Sequence, residues 1–177
     1  VQTESSRCSC CRTGEELPER DDRLRVDVRS VRPNAPGHGG PARDLGLVGD
    51  HFRLIDEFGM GWQMPRHGGH YYDLYLSPLA DCRTVADIER YPWPDALDPA
   101  RFEGLKERVD HVVGQERRGV VVERMHAGMW EHAMWMRGYE QFFMDMVTDP
   151  AMVHAIMSKE LEIKMAYWGR VLDLLDG

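Results

Sequence analysis

Residues 118–138, RGVVVERMHAGMWEHAMWMRG, decide how this chain folds. Val120, Val121 and Val122 run consecutively instead of alternating with polar residues. That pattern suits a parallel strand buried on both faces. Glu123 and Arg124 end the run, a short loop follows, and a helix is expected from about Met129 to Val147. Asp149-Pro150 then opens another helix: a carboxylate that can cap, followed by proline at the first helical position, where its missing N–H costs nothing. Met152, Ile156, Ile163, Tyr167 and Val171 keep one face of that helix apolar.

The signals upstream are of the same kind. Thr84 caps the helix VADIER, with Asp87 three positions on as its capping-box partner. Pro92 and Pro94 force the chain out of that helix at Tyr91. Asp98-Pro99 starts a helix expected to reach Val113 and stop at Gly114. Before these, residues 52–65 (FRLIDEFGMGWQMP) and 68–81 (GGHYYDLYLSPLAD) read as two short extended segments joined by a polar turn at 66–70. Residues 24–31, LRVDVRSV, alternate Leu24, Val26 and Val28 against Arg25, Asp27 and Arg29, a short strand pattern. Residues 1–45 otherwise read as a poorly structured segment, with a Pro/Gly loop at 32–44. Residues 46–177 read as an α/β domain with parallel strands.

Composition bounds the function. The chain has 177 residues, 42% hydrophobic and 29% charged, ordinary for one globular domain. Its net charge of −8 argues against nucleic acid, whose partners carry basic patches. The apolar runs fall short of the ~18 residues a membrane span needs, and no secretory leader is visible, so a cytoplasmic location is expected. Cys8, Cys10 and Cys11 crowd together with no second pair downstream, which reads as an incidental cluster and not as a zinc site. Arginine greatly outnumbers lysine, found only at Lys106, Lys159 and Lys164, a bias typical of a GC-rich genome.

Four segments in order, DEFGMGW (56–62), GGHYYDLYLSPLAD (68–81), TVADIERYPWPD (84–95) and MWEHAMWMRGYEQFFMDMVTDP (129–150), resemble the uroporphyrinogen decarboxylase superfamily. The likeness is strongest to the branch related to corrinoid-dependent methyltransferases. It implies a (β/α)8 barrel, a fold of ~250 residues. This chain would supply a partial barrel of about three strand-helix units, lacking the first strand region and the C-terminal half, with residues 1–23 open to being out-of-frame sequence. The resemblance also implies a small-molecule substrate or a corrinoid protein as partner. In the family's methyltransferases zinc is held by a His-x-Cys pair and a later Cys in the C-terminal half, absent here, so no cofactor is expected within this chain. The decarboxylase's arginine-rich RQAGRY motif is absent too, and its substrate-binding tyrosine falls on Met134. Porphyrinogen decarboxylation is therefore the second enzymatic reading. A non-catalytic half-barrel that self-associates through exposed sheet edges is the third. No turnover is expected from the chain alone.

In a barrel, the loop after a strand faces the active site. His126, Trp130 and Glu131 are accordingly the candidate substrate-binding residues, while the catalytic residues are unknown. Glu131 reads equally as a group that stabilises a helix N-terminus. A metal held by His126, Glu131 and His132 is set aside, because adjacent helical residues diverge by about 100° and the His i, i+4 spacing is missing. His132 reads as a partly exposed helix residue. The methionines and tryptophans of 129–136 suit a large flat ligand but are read first as packing. Asp56 and Glu57, as strand neighbours, point apart and form no acid/base pair. His67 and His70 read as loop residues, Asp95 and Asp98 as turn and cap.

Overall fold

In the computed structural model, which describes residues 27–34 and 43–176, the valine run is a parallel strand. Val28–Val31 (β1) pairs in register with Gly119–Val122, Val31 opposite Val122. Between these strands lies an antiparallel meander of Arg43–Val48 (β2), His51–Ile55 (β3), Gly61–Pro65 (β4) and Asp73–Leu76 (β5), which makes Gly119–Val122 the sixth strand, β6. The helices are Val85–Arg90 (α1), Pro99–Phe102 (α2), Leu105–His111 (α3), Met129–Arg137 (α4), Tyr139–Thr148 (α5) and Pro150–Leu175 (α6), with a wide turn at Val112–Glu116 after α3. Among the described residues the fold is thus mixed α/β with two open sheets. No helix among the described residues is long and apolar enough to cross a membrane. The cysteine cluster and the Leu24–Val26 half of the strand pattern lie outside the described residues.

Several expectations are corrected. The segment 52–65 is a hairpin, not one extended strand. Asp56 makes the turn: its Oδ1 accepts the N–H groups of Phe58 and Met60, at 2.9 and 3.0 Å, and Gly59 takes φ +81. Aspartate and glycine at these places in a turn are what its backbone requires. β1 has the opposite phase from the one expected, with Arg29 and Val31 buried and Val28 exposed. β6 is covered on one face only, since Val121 is 50% exposed while Val120 and Val122 pack on the core. Two expected helices are each split at a glycine with positive φ, Gly104 (+66) and Gly138 (+87).

Other expectations hold. Thr84 and Asp87 form the full capping box, and Asp98 caps α2 through the Ala100 N–H, whereas Asp149 at the start of α6 makes no side-chain capping bond. α6 runs for 26 residues, about 39 Å, with Met152, Ile156, Ile163, Tyr167 and Val171 all buried. The same buried core holds Phe58, Leu79, Ile88, Leu105, Met136 and Phe142, all under 3% exposed. Two buried arginine–carboxylate pairs among the described residues join separate elements. Arg101 on α2 meets Glu57 at 2.7 Å, and Arg137 at the end of α4 meets Asp145 on α5 at 2.7 Å. Arg137 also donates to the carbonyls of Leu79 and Cys82, so it pins the chain before α1 to α4.

Candidate functional site

The end of β6 is fixed by two backbone ties: Glu123 N–H donates to the Val31 carbonyl, and the Tyr167 hydroxyl donates to the Glu123 carbonyl. The loop that follows buries His126 and Ala127 while Arg124 and Gly128 stay exposed. α4 places His132 beside His126, and α6 reaches across with Glu160, which is fully buried. His132 Nδ1 and Glu160 Oε1 are 2.6 Å apart, a strong hydrogen bond. His126 Nδ1 lies 3.3 Å from Glu160 Oε2, close enough for attraction but without hydrogen-bond geometry. The two imidazole centroids are 4.3 Å apart, and Phe58 sets its ring edge-on to both, at 4.9 and 4.4 Å.

Electrostatics follow from this burial. Desolvation pushes the His126 imidazole down to about 2, helped by the nearby charges of His132 and Lys164. His126 is therefore neutral and keeps a lone pair. Burial also lowers the Lys164 ammonium, against the pull of Glu160; it donates to the Ala127 carbonyl at 2.6 Å and so braces the same loop. Asp56 is raised by burial, although hydrogen bonds from Trp62, Met60 and Phe58 oppose the shift.

Two cavities adjoin the cluster. The larger, about 830 Å³, opens at the C-terminal ends of β1 and β6, with Arg32, Asn34, Arg124, His126, Trp135 and Trp168 in its wall. Arg32 is held over it by Glu123 at 2.6 Å. The smaller, about 210 Å³, lies between the β3–β4 turn and α4 and is bounded by Asp56, Trp62, His126, His132 and Trp135. His126 and Trp135 are common to both walls.

Of the three residues singled out as substrate-binding, His126 alone lines either of these two cavities. Trp130 is 43% exposed and packs edge-on against Phe142 of α5, 5.2 Å between centroids. Glu131 is exposed in the first turn of α4 and borders neither cavity. His132, expected at the surface, is 1% exposed: α4 turns it toward α6, and the surface-facing position belongs to Glu131. Asp56 and Glu57 lie in the β3–β4 turn and not on a strand as expected; both border the smaller cavity, Asp56 bonded to Trp62 and Glu57 to Arg101.

Glu160 was missed, and the sequence did hold a signal for it. The apolar row of α6 steps from Ile156 to Ile163 with Glu160 in register between them, a carboxylate at a core position. Trp135 was read as packing and also walls both cavities. Comparison with protein-family models, curated proteins and solved structures finds no match to this chain.

Proposed function

We propose that this chain is part of a uroporphyrinogen decarboxylase-superfamily enzyme, of the methyl-transferring kind that works with a corrinoid. The larger cavity would receive the corrinoid or the small substrate. The observation that carries this reading is the position of that cavity, at the C-terminal ends of the parallel pair β1–β6. In α/β folds ligands bind beyond the carboxyl ends of parallel strands, where loops converge on one mouth. A (β/α)8 barrel would add further strands to the edges of this pair, left open among the described residues. The wall suits a broad, flat ligand that carries hydrogen-bond acceptors and an anionic group at its edge. Trp135 and Trp168 offer apolar faces, and Arg32 and Arg124 offer donors for carboxylate or phosphate groups.

The test is equilibrium dialysis of the purified chain against hydroxocobalamin, and in parallel against uroporphyrin, a porphyrin with carboxylate side chains. The expected result is saturable corrinoid binding, weakened at least tenfold in a Trp168→Ala/Arg124→Ala variant that keeps its circular dichroism spectrum. Saturable uroporphyrin binding without corrinoid binding would transfer the reading to the decarboxylase branch. Absence of both would leave the cavity without its proposed occupant and overturn the assignment.

A further inference from the structure

We infer that His126, His132 and Glu160 form a binding site for one divalent transition-metal ion of the zinc and iron(II) class. This goes beyond the pocket reading and stands whether or not a corrinoid enters the larger cavity. Each ligand comes from a different part of the fold: the loop after β6, the second turn of α4, and the middle of α6. The three side chains are buried, and one ligand atom from each lies within 4.8 Å of the others. Imidazole nitrogens and carboxylate oxygens sit about 2.0–2.2 Å from zinc, so in tetrahedral coordination two ligand atoms of one ion are about 3.4 Å apart. A bound ion would thus draw the ligand atoms, now within 4.8 Å of one another, together by up to about 1.4 Å, a movement shared among χ rotations of three side chains.

The second observation is what the cluster leaves unmet. Nε2 of His132 is buried with no hydrogen-bond partner among the described residues, and the ring nitrogens of His126 and Oε2 of Glu160 make no well-formed hydrogen bond, with His126 Nδ1 3.3 Å from Glu160 Oε2 and the Ala127 backbone beside the His126 ring. Buried polar atoms of this kind are nearly always partnered, by protein, water or an ion. A histidine–glutamate ion pair on its own accounts for the 2.6 Å contact to His132 but leaves His126 unexplained. A cation accounts for both, because it takes a lone pair from His126 and neutralises Glu160 from its second oxygen. Two imidazoles and one carboxylate favour zinc or iron(II) over calcium or magnesium, which choose oxygen ligands throughout. Such a set holds an ion and leaves coordination positions open. The smaller cavity, bounded by His126 and His132, provides the space for them.

The test uses the full chain with Cys8, Cys10 and Cys11 changed to Ser, so that no thiol cluster competes. After treatment with a chelator, Zn(II) is added in a calorimeter and Co(II) in a spectrophotometer. The expected result is one equivalent of Zn(II) bound with micromolar or tighter affinity, and a Co(II) visible band. His126→Gln and Glu160→Gln should each weaken Zn(II) at least tenfold, while His67→Ala, in the exposed turn, should leave it unchanged. Failure of the triple-serine chain to bind one equivalent would overturn the inference, as would unchanged affinity in a folded His126→Gln protein. Should both Gln variants fail to fold, imidazole proton resonances of the triple-serine chain decide: paramagnetic shifts at His126 and His132 with Co(II) support the site, and their absence overturns it.

Discussion

Glu57 and Arg101 form a contact whose energy can be isolated. The guanidinium of Arg101 is 2% exposed and meets Glu57 at 2.7 Å, with a further bond to the Asp95 carbonyl. Removing one partner of such a pair strands the other in a dry site, which typically costs about 3–5 kcal/mol, whereas replacing both with apolar groups is often close to neutral. Glu57→Ala is therefore expected to lose about 3–5 kcal/mol in urea unfolding, and Glu57→Leu/Arg101→Met to recover most of it. A loss below about 1 kcal/mol in the single variant would show that the pair is solvated in solution. At this scale the sequence was only partly readable. Asp98 and Thr84 act through neighbours two or three residues away, so local pattern found them. Glu57, His132 and Glu160 act through partners 28 or more residues distant, which spacing rules cannot see.

Helix ends carry the clearest signals among the elements. Asp87 accepts the N–H groups of Arg83 and Thr84 and the Thr84 hydroxyl, and these bonds hold its carboxyl below its ordinary value of 3.8. A carboxyl depressed in the folded state stabilises above its unfolded value, and that contribution is lost as pH falls through the lower folded value. Thr84→Ala is expected to cost about 1 kcal/mol and to move the Asp87 carboxyl titration, followed by NMR, back toward 3.8. An unmoved titration would mean that the box does not form. The breaks inside helices were harder to read. Apolar periodicity continues across Gly138, yet the residue takes φ +87 and ψ 138, a conformation almost confined to glycine. Nothing crowds a side chain there, the nearest atom being Ser77 Oγ at 3.5 Å. The expected cost of Gly138→Ala, about 1–3 kcal/mol in thermal or urea unfolding, is thus backbone strain. A neutral effect would argue that α4 and α5 join as one helix. β1 was misphased for a similar reason: alternation marks the two faces of a strand, but it cannot tell which face is covered when Arg29 reaches Glu116, at 2.9 Å, from the inner one.

For the whole molecule, the α/β class was legible because the valine run, the Asp-Pro starts and the α6 stripe each match one element. The meander was half legible, since a five-residue turn inside 52–65, residues 56–60, looks like strand to a rule that counts apolar residues. The pairing of β1 with β6 was not legible at all: these strands lie on either side of the entire meander and α1–α3. That pairing places the larger cavity, and with it the functional reading. The most direct test is an amide chemical-shift map of the ¹⁵N-labelled chain titrated with hydroxocobalamin. Saturable shifts are expected at residues 32 and 34 and at 123–127, with Trp135 and Trp168 indole N–H groups moving at the same ligand concentration. Shifts confined to β2–β5, or none at saturating ligand, would contradict a binding mouth at the end of the parallel pair.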